Sequence, residues 1–214
     1  MKKLSDLEAQ KLLTKYKIPV PKSKIAKTEK QAADYSKSIG YPVVMKISSK
    51  GISHKTDIGG VVVGVKNIEA ARKAFKQIVA NAKKHTKAII DGVLIQKMVS
   101  GIETIVGSKV DPQFGHVILF GTGGILVEVI KDFTLRLIPI QRKDAKDMIK
   151  GIKGYKMLKG VRGKKAVKFQ VLEDCLLNVS KMIEKNPNIQ ELDINPLFVD
   201  HTGVVAADYR IFTK

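Results

Sequence analysis

Apolar residues along this chain repeat with two periods, and the switches between them mark the elements. Ser5-Asp6-Leu7-Glu8 leads into Leu12, Leu13 and Tyr16 at helical spacing. A Ser three residues ahead of a Glu is a capping box, so a first helix is expected here, ending before Pro19. Thr28-Glu29-Lys30-Gln31 repeats that signature ahead of Ala32, Tyr35 and Ile39, and Gly40 ends the second helix. The pattern then changes. Pro42-Val43-Val44-Met45-Lys46-Ile47 is short, apolar and β-branched, and it reads as a strand. Residues 48–60 are polar and Gly-punctuated, hence a loop, and Val61-Val62-Val63-Gly64-Val65 is a second strand. Asn67 caps a helix with Ala71, Ala74, Phe75, Ile78 and Val79 on one face.

Beyond it the pattern predicts strands near 92–99, 102–110, 115–120, 125–130 and 134–140. Helices follow near 144–150 and 166–185, the latter with Phe169, Leu172, Leu176, Val179 and Ile183 at helical spacing. A hairpin, 191–199 and 203–210, turns at Asp200-His201-Thr202-Gly203. Strand meanders with flanking helices argue an α+β fold rather than a doubly wound parallel sheet.

Composition narrows the class. With 214 residues and 44% apolar content, the chain is long enough for one large domain or two small lobes. No apolar run reaches the length of a membrane span, and Met1-Lys2-Lys3-Leu4-Ser5 lacks the apolar core of a secretory signal. The single Cys175 excludes a disulfide framework and fits a cytoplasmic location. The net charge of +19 suggests a nucleic-acid binder, but only five of the 39 basic residues are Arg, and there is no Trp. Arg supplies bidentate phosphate and base contacts and aromatics supply stacking, so this composition weakens that reading.

Five constellations could carry chemistry. In Leu192-Asp193-Ile194-Asn195-Pro196, alternation puts Asp193 and Asn195 on one face, and the turn near 200–202 brings 207–209 opposite 193–195. Asp208 is therefore expected across from them, giving hard oxygens suited to Mg²⁺ with bound phosphates. A capped strand end with a salt bridge accounts for the same residues. Lys46, inside an apolar strand, either faces a cleft and holds a phosphate or sits on an edge strand. His54 lies in the basic loop, between Gly51 and Gly59-Gly60 as hinges and flanked by Lys50 and Lys55. Neutral imidazole is a nucleophile near pH 7, so His54 could accept a phosphoryl group; an exposed surface His is the simpler alternative. Gly121-Thr122-Gly123-Gly124 is a phosphate cradle or a plain turn, and it is not a P-loop. Gln96-Lys97-Met98-Val99 followed by Glu103 is a strand corner that could offer backbone hydrogen bonds to adenine and an acid to ribose.

Together these residues resemble the ATP-grasp family, and more closely the β subunits of archaeal ADP-forming acetyl-CoA synthetases. The segments that carry the resemblance are KLLTKYKIPVP, GYPVVMKISS, ISHKTDIGGV, DPQFGHVILFGTGGILVEVIKDFTLRLIPI, LKGVRG and ELDINPLFV…AADYR. The resemblance implies two ATP-grasp lobes, 17–92 and 93–214, with residues 1–16 as a helix packing on them. It implies that Lys46 contacts phosphate, that Gln96, Lys97, Met98 and Val99 hold adenine, and that Glu103 contacts the nucleotide. It assigns Mg²⁺ to Asn195 and Asp208 with Asp193 beside them, and a transient phosphate to His54. Gly123, Gly124, Glu128 and Arg136 match the Gly-rich and following segment. The implied reaction is ATP + acetate + CoA = ADP + phosphate + acetyl-CoA, with ATP/ADP and Mg²⁺ on this chain. CoA and acyl-phosphate chemistry would belong to a CoA-binding α subunit, in an α₂β₂ heterotetramer. Two other functions remain open on the residues alone: an ATP-grasp carboxylate–amine ligase, which needs no loop His, and a basic RNA-binding protein. Related subunits are more acidic over 142–168, where this chain has eleven basic and two acidic residues.

Overall fold

The computed structural model describes residues 1–52, 54–85, 87–124, 131–161, 163 and 165–214. The chain begins with β1 (Lys2–Lys3), α1 (Asp6–Lys15), β2 (Ser23–Ala26), α2 (Glu29–Ile39) and β3 (Val43–Ser48). Next come β4 (Val61–Val65), α3 (Ile68–His85), β5 (Gly92–Lys97), β6 (Ile102–Asp111), β7 (Gly115–Thr122) and β8 (Phe133–Leu137). The remainder is α4 (Arg142–Gly151), α5 (Tyr155–Leu158), α6 (Phe169–Lys185), β9 (Ile189–Val199), β10 (Val204–Ala206) and β11 (Tyr209–Thr213). The expected strand at 125–130, with Glu128, lies outside the described residues, as does Arg162 of the LKGVRG segment.

Most elements follow from the patterning. Ser5 accepts the Glu8 N–H and Glu8 answers on the Ser5 N–H at 2.7 Å, completing the capping box of α1. At α2 the reciprocal bond shifts by one residue: Thr28 accepts the Gln31 N–H, but Gln31 takes the N–H of Lys27. The short pieces β1, β2 and α5 carry too few residues for periodicity to reveal them.

Pro21–Met98 forms one compact unit, and Met1–Val20 with Val99–Lys214 forms the other. The expected cut at 92/93 would remove β5 from its own sheet. In the smaller unit the order is β2-β5-β3-β4, with β5 paired to both β2 and β3. Ala26, Val43, Met45, Ile47, Val93 and Ile95 pack there with Ala32 of α2 and Ala71 and Ile78 of α3. The N-terminal helix likewise belongs to the larger unit, because β1 pairs β11 and Ala9 and Leu13 join that core.

The larger unit holds a seven-stranded sheet in the order β1-β11-β9-β6-β7-β8, with β10 also on β9. All of its described pairings are antiparallel. One face packs on α4 and α6 through Val106, Ile118, Phe120, Leu192, Ile194, Leu172 and Leu176. The opposite parity, Glu103, Ile105 and Gly107 on β6 and Asp193 on β9, lines the face away from these helices. Among the described residues no helix is long and apolar enough to cross a membrane.

Candidate functional site

The polar groups fall into two sets, one in each unit. In the smaller unit, Lys46 lies on β3, between β4 and β5, opposite Val61 and Leu94. It is therefore on an interior strand, and the edge-strand reading is excluded. Its neighbours Met45 and Ile47 point into the helix-backed core, so Lys46 points to the other face. The side chain is only 8% exposed. Ser48 shares its parity on β3, and Gln96 on β5 sits opposite Val44 of the same face. Both are buried, and Ser48 Oγ and Gln96 Nε2 have no hydrogen-bond partner among the described residues. Burying an unsatisfied donor costs about 1–3 kcal/mol, so this face carries polar groups that packing alone does not explain.

The residues expected to form an adenine hinge divide. Lys97 donates from Nζ to the carbonyls of Gly40 (2.8 Å) and Tyr41 (3.2 Å), so its side chain closes the end of α2. The N–H groups of Lys97 and Met98 donate to Lys22 and Pro42 carbonyls. Val99 is the first residue of the return into the larger unit.

His54 stands on the 49–60 loop with its side chain 73% exposed, and Asp57 Oδ2 lies 4.0 Å from its Nδ1. The flanks of the loop are tied down. Ile52 is buried in the small core, Ser49 donates to the Ile89 carbonyl, and Asn81 donates to the Gly59 carbonyl at 3.1 Å. Gly60 is a close-packing position rather than a free hinge, because a Cβ there would come within 2.8 Å of the Lys55 carbonyl oxygen. Lys55 is buried, so of the two expected flanking cations only Lys50 is exposed.

In the larger unit, the turn at Asp200–Gly203 closes with the Asp200 N–H on the Gly203 carbonyl. The ladder then runs Val204↔Val199 and Tyr209↔Ile194, one residue out from the expected register. Asp208 therefore stands beside Asn195, whose N–H donates to the Asp208 carbonyl at 3.0 Å, while Arg210 stands opposite Asp193. Arg210 donates to Asp193 Oδ2 from Nε at 3.2 Å and NH2 at 2.6 Å. Pattern reading missed this partner; the four-residue turn, counted correctly, would have found it. Asp193 is thus engaged by a guanidinium, and the hard-oxygen set reduces to Asn195 and Asp208.

An amide oxygen and one carboxylate fit Mg²⁺, which keeps several waters and takes substrate phosphates as further ligands. Among the described residues no group of three or more His, Cys, Asp or Glu converges on one point, so a closed protein cage is not what these residues build. Burial pushes the Tyr209 hydroxyl well above the usual phenol range, and the charges of Asp6 and Asp208 push it the same way.

Glu103 opens β6 and meets the Gly-rich end of β7. The Gly123 N–H donates to the Glu103 carbonyl at 2.8 Å, and a Cβ on Gly123 would come within 2.9 Å of Glu103. Gly124 has φ +70°, and a Cβ there would lie 3.2 Å from Glu103 Oε2. The expected phosphate cradle has spent its Thr122 and Gly123 N–H groups on the sheet. Arg136 is on β8 opposite Ile118, so it shares the parity of the helix-covered face, and its guanidinium donates to the Leu135 carbonyl at 2.8 Å. It is not brought together with Glu103, Asn195 or Asp208.

The fold is thus two helix-backed antiparallel sheets, the larger with an acid and an amide on its face away from the helices and the smaller with a buried Lys. Comparison with known proteins fixes the family. The model of the ATP-grasp domain matches residues 1–212, and the chain belongs to that family. It is similar to the β subunit of acetate–CoA ligase [ADP-forming] I from Pyrococcus furiosus, 45% identical over 97% of this chain and 90% of that one. It is 49% identical to the 4-hydroxybutyrate–CoA ligase [ADP-forming] of Nitrosopumilus maritimus over 94% of this chain, but spans only 29% of that protein. Among solved structures it is similar to acetyl-coenzyme A synthetase 1 of Ca. Korarchaeum cryptofilum in complex with coenzyme A and Ca-AMPCP. The TM-score is 0.96 at 39% identity, covering all of this chain and 94% of that one. A second state of that enzyme holds coenzyme A and Mg-AMPPCP, with its phosphohistidine segment pointing towards the nucleotide-binding site. Here the TM-score is 0.87 at 35% identity, covering 100% of this chain and 93% of that one.

Proposed function

We propose that this chain is the nucleotide-binding β subunit of an ADP-forming acyl-CoA ligase, acting with a CoA-binding α subunit. The observation that carries the reading is His54, an exposed imidazole on a loop whose flanks are anchored in the unit that buries Lys46. An amine ligase of the same fold has no use for that residue, and the relatives above are acid–CoA ligases.

Lys46 holds the phosphates as a point charge, its burial strengthening the interaction. Glu103, set against Gly123 and Gly124, receives the ribose hydroxyls, and residues 96–99 flank the base. Asn195 and Asp208 hold Mg²⁺, which when bound neutralises charge on the transferring group. A ring nitrogen of His54 supplies the lone pair for attack. A P–N bond forms to the γ-phosphorus, the bond to the bridging oxygen breaks, and ADP departs with that electron pair. The phosphoryl group then passes to the partner, where the acyl phosphate and CoA are handled, in an α₂β₂ assembly located in the cytoplasm. Acetate is the acid proposed.

The test is incubation with γ-labelled ATP and Mg²⁺. Acid-labile, base-stable label on the chain that vanishes in His54→Ala supports the reading. Label that survives this substitution assigns the phosphoryl group elsewhere and ends the role of His54.

A further inference from the structure

Asp132 stands just ahead of β8, and nothing in the mechanism above uses it. Its carboxylate is 6% exposed, a depth that costs several kcal/mol unless donors surround it. Three do. The Thr122 hydroxyl donates to Oδ2 at 3.1 Å, the Gly154 N–H to Oδ2 at 2.8 Å, and the Lys153 N–H to Oδ1. The Thr122 N–H also donates to the Asp132 carbonyl at 3.1 Å.

One side chain thereby ties three pieces of the larger unit together: the end of β7, the approach to β8, and the turn between α4 and α5. The packing leaves no slack. A Cβ on Gly121 would come within 2.6 Å of the Asp132 carbonyl oxygen, and one on Gly154 would collide with the Thr122 methyl group. Thr122 is thus pinned from both sides. The next residue, Gly123, donates to the Glu103 carbonyl, and Gly124 lies against Glu103 Oε2. The position of the Glu103 carboxylate is therefore set by backbone that Asp132 holds.

We infer that Asp132, through its clamp on Thr122 and the Lys153–Gly154 turn, is a positioning residue for the nucleotide, fixing Glu103 through the Gly123–Gly124 backbone packed against it. The inference rests on the proposed role of Glu103 at the ribose. Ribose contacts are made in ground and transition states alike, so their loss raises KM and spares kcat. A purely structural Asp132 would lower the melting temperature and leave both constants unchanged in the folded protein.

The experiment compares Asp132→Asn, Thr122→Val, Thr122→Ser and Gly124→Ala in the full chain, measuring melting temperature, ADP affinity and the rate of labelling from ATP. Asp132→Asn puts an amide donor against N–H groups, and is expected to raise the KM for ATP about tenfold with kcat within about twofold. Thr122→Val should shift KM a few-fold the same way, and Thr122→Ser, which keeps the hydroxyl, should restore it. If Asp132→Asn does not fold, the Val and Ser pair decides. A lowered melting temperature with unchanged KM in Asp132→Asn and Thr122→Val, while Gly124→Ala does raise KM, would overturn the inference and leave the nucleotide reading standing. An unchanged KM and ADP affinity in Gly124→Ala as well would remove the role of the Gly-rich end, and the inference with it.

Discussion

The two units are built alike and equipped differently. Each is an antiparallel sheet with helices packed on it and a core of its own. In the smaller unit the groups proposed to act are an amine and an imidazole: Lys46 buried on an interior strand, and His54 exposed on a loop. In the larger unit they are oxygen donors: Glu103 near the start of β6, Asn195 within β9 and Asp208 just ahead of β11. A chemistry that handles polyanions in the presence of Mg²⁺ needs both kinds of group. The two kinds of group belong to separate units, the lysine and imidazole to Pro21–Met98 and the oxygen donors to the other. On the sheet of the larger unit an acid and a cation do meet at Asp193 and Arg210, and they form an ion pair.

The sharpest way to test this division is a paired substitution. Lys46→Met should cut the rate of His54 labelling by about 100-fold or more while leaving the Mg²⁺ concentration for half-maximal rate unchanged. Asn195→Ala should instead raise that Mg²⁺ requirement about tenfold, and Asp208→Ala should abolish labelling at any Mg²⁺ level. If Lys46→Met altered the Mg²⁺ requirement as strongly as Asn195→Ala, phosphate and metal roles would not be divided between the units.

The two cores offer the next test. Ile78 on α3 and Leu176 on α6 are fully buried, each in its own cluster. Either residue changed to Ala should cost about 2–5 kcal/mol. Hydrogen exchange should show the loss of protection in the unit that carries the substitution. Equal loss in both units for either variant would mean that the two cores unfold as one.

What the chain discloses in advance tracks the range of the forces involved. Helix caps and the strand patterns at 43–48 and 61–65 depend on neighbours within four residues, and they are legible because the competing choices are few. The α+β class, the ATP-grasp resemblance and the turn at 200–203 belong to the same level. Register is harder. A one-residue error at that turn was enough to hide Arg210, because side chains alternate at every step along a strand. Lys97 and Lys55 escaped for a different reason. Nothing in their local sequence marks either as anchored, and only the folded chain shows one bonded to the Gly40 carbonyl and the other buried. Arg136 was assigned by its segment, and the parity of β8 puts it with the other face.

The Asp193–Arg210 pair lies between these levels, and its loss should be modest. Both side chains are about a quarter to a third exposed, 26% for Arg210 and 30% for Asp193. Arg210→Met should therefore lower stability by about 1 kcal/mol in urea unfolding, and less at high salt. Labelling should fall by much less than in Lys46→Met. A collapse of labelling comparable to that of Asp208→Ala would instead make the pair part of the phosphate-handling groups, and the two-set picture would need a cation in the larger unit as well.

The smallest effect is expected at Asp200, in the turn that sets the register of Asp208. The Thr202 hydroxyl donates to its carboxylate at 2.6 Å, and the N–H groups of Thr202 and Gly203 add bonds at 2.7 and 3.0 Å. These donors, the hydroxyl foremost, hold its pKa below the ordinary carboxylate value against the opposing effect of burial, with His201 helping. A carboxyl depressed in the folded state binds its proton more readily when unfolded. Its contribution is therefore complete above the unfolded value, near pH 4, and disappears as pH falls through the lower folded value. Solvent screening at this surface turn keeps the contribution below about 1 kcal/mol. Urea unfolding of the native chain and of Asp200→Asn between about pH 3 and 6 should give curves that differ most at the upper end and converge at the lower. Because the turn belongs to the larger unit, the difference should appear in β9 and β10 and spare the exchange rates of β3 and β5. Parallel curves across that range would mean that the carboxylate charge contributes nothing to the turn, and that the register of Asn195 and Asp208 is set by strand pairing alone.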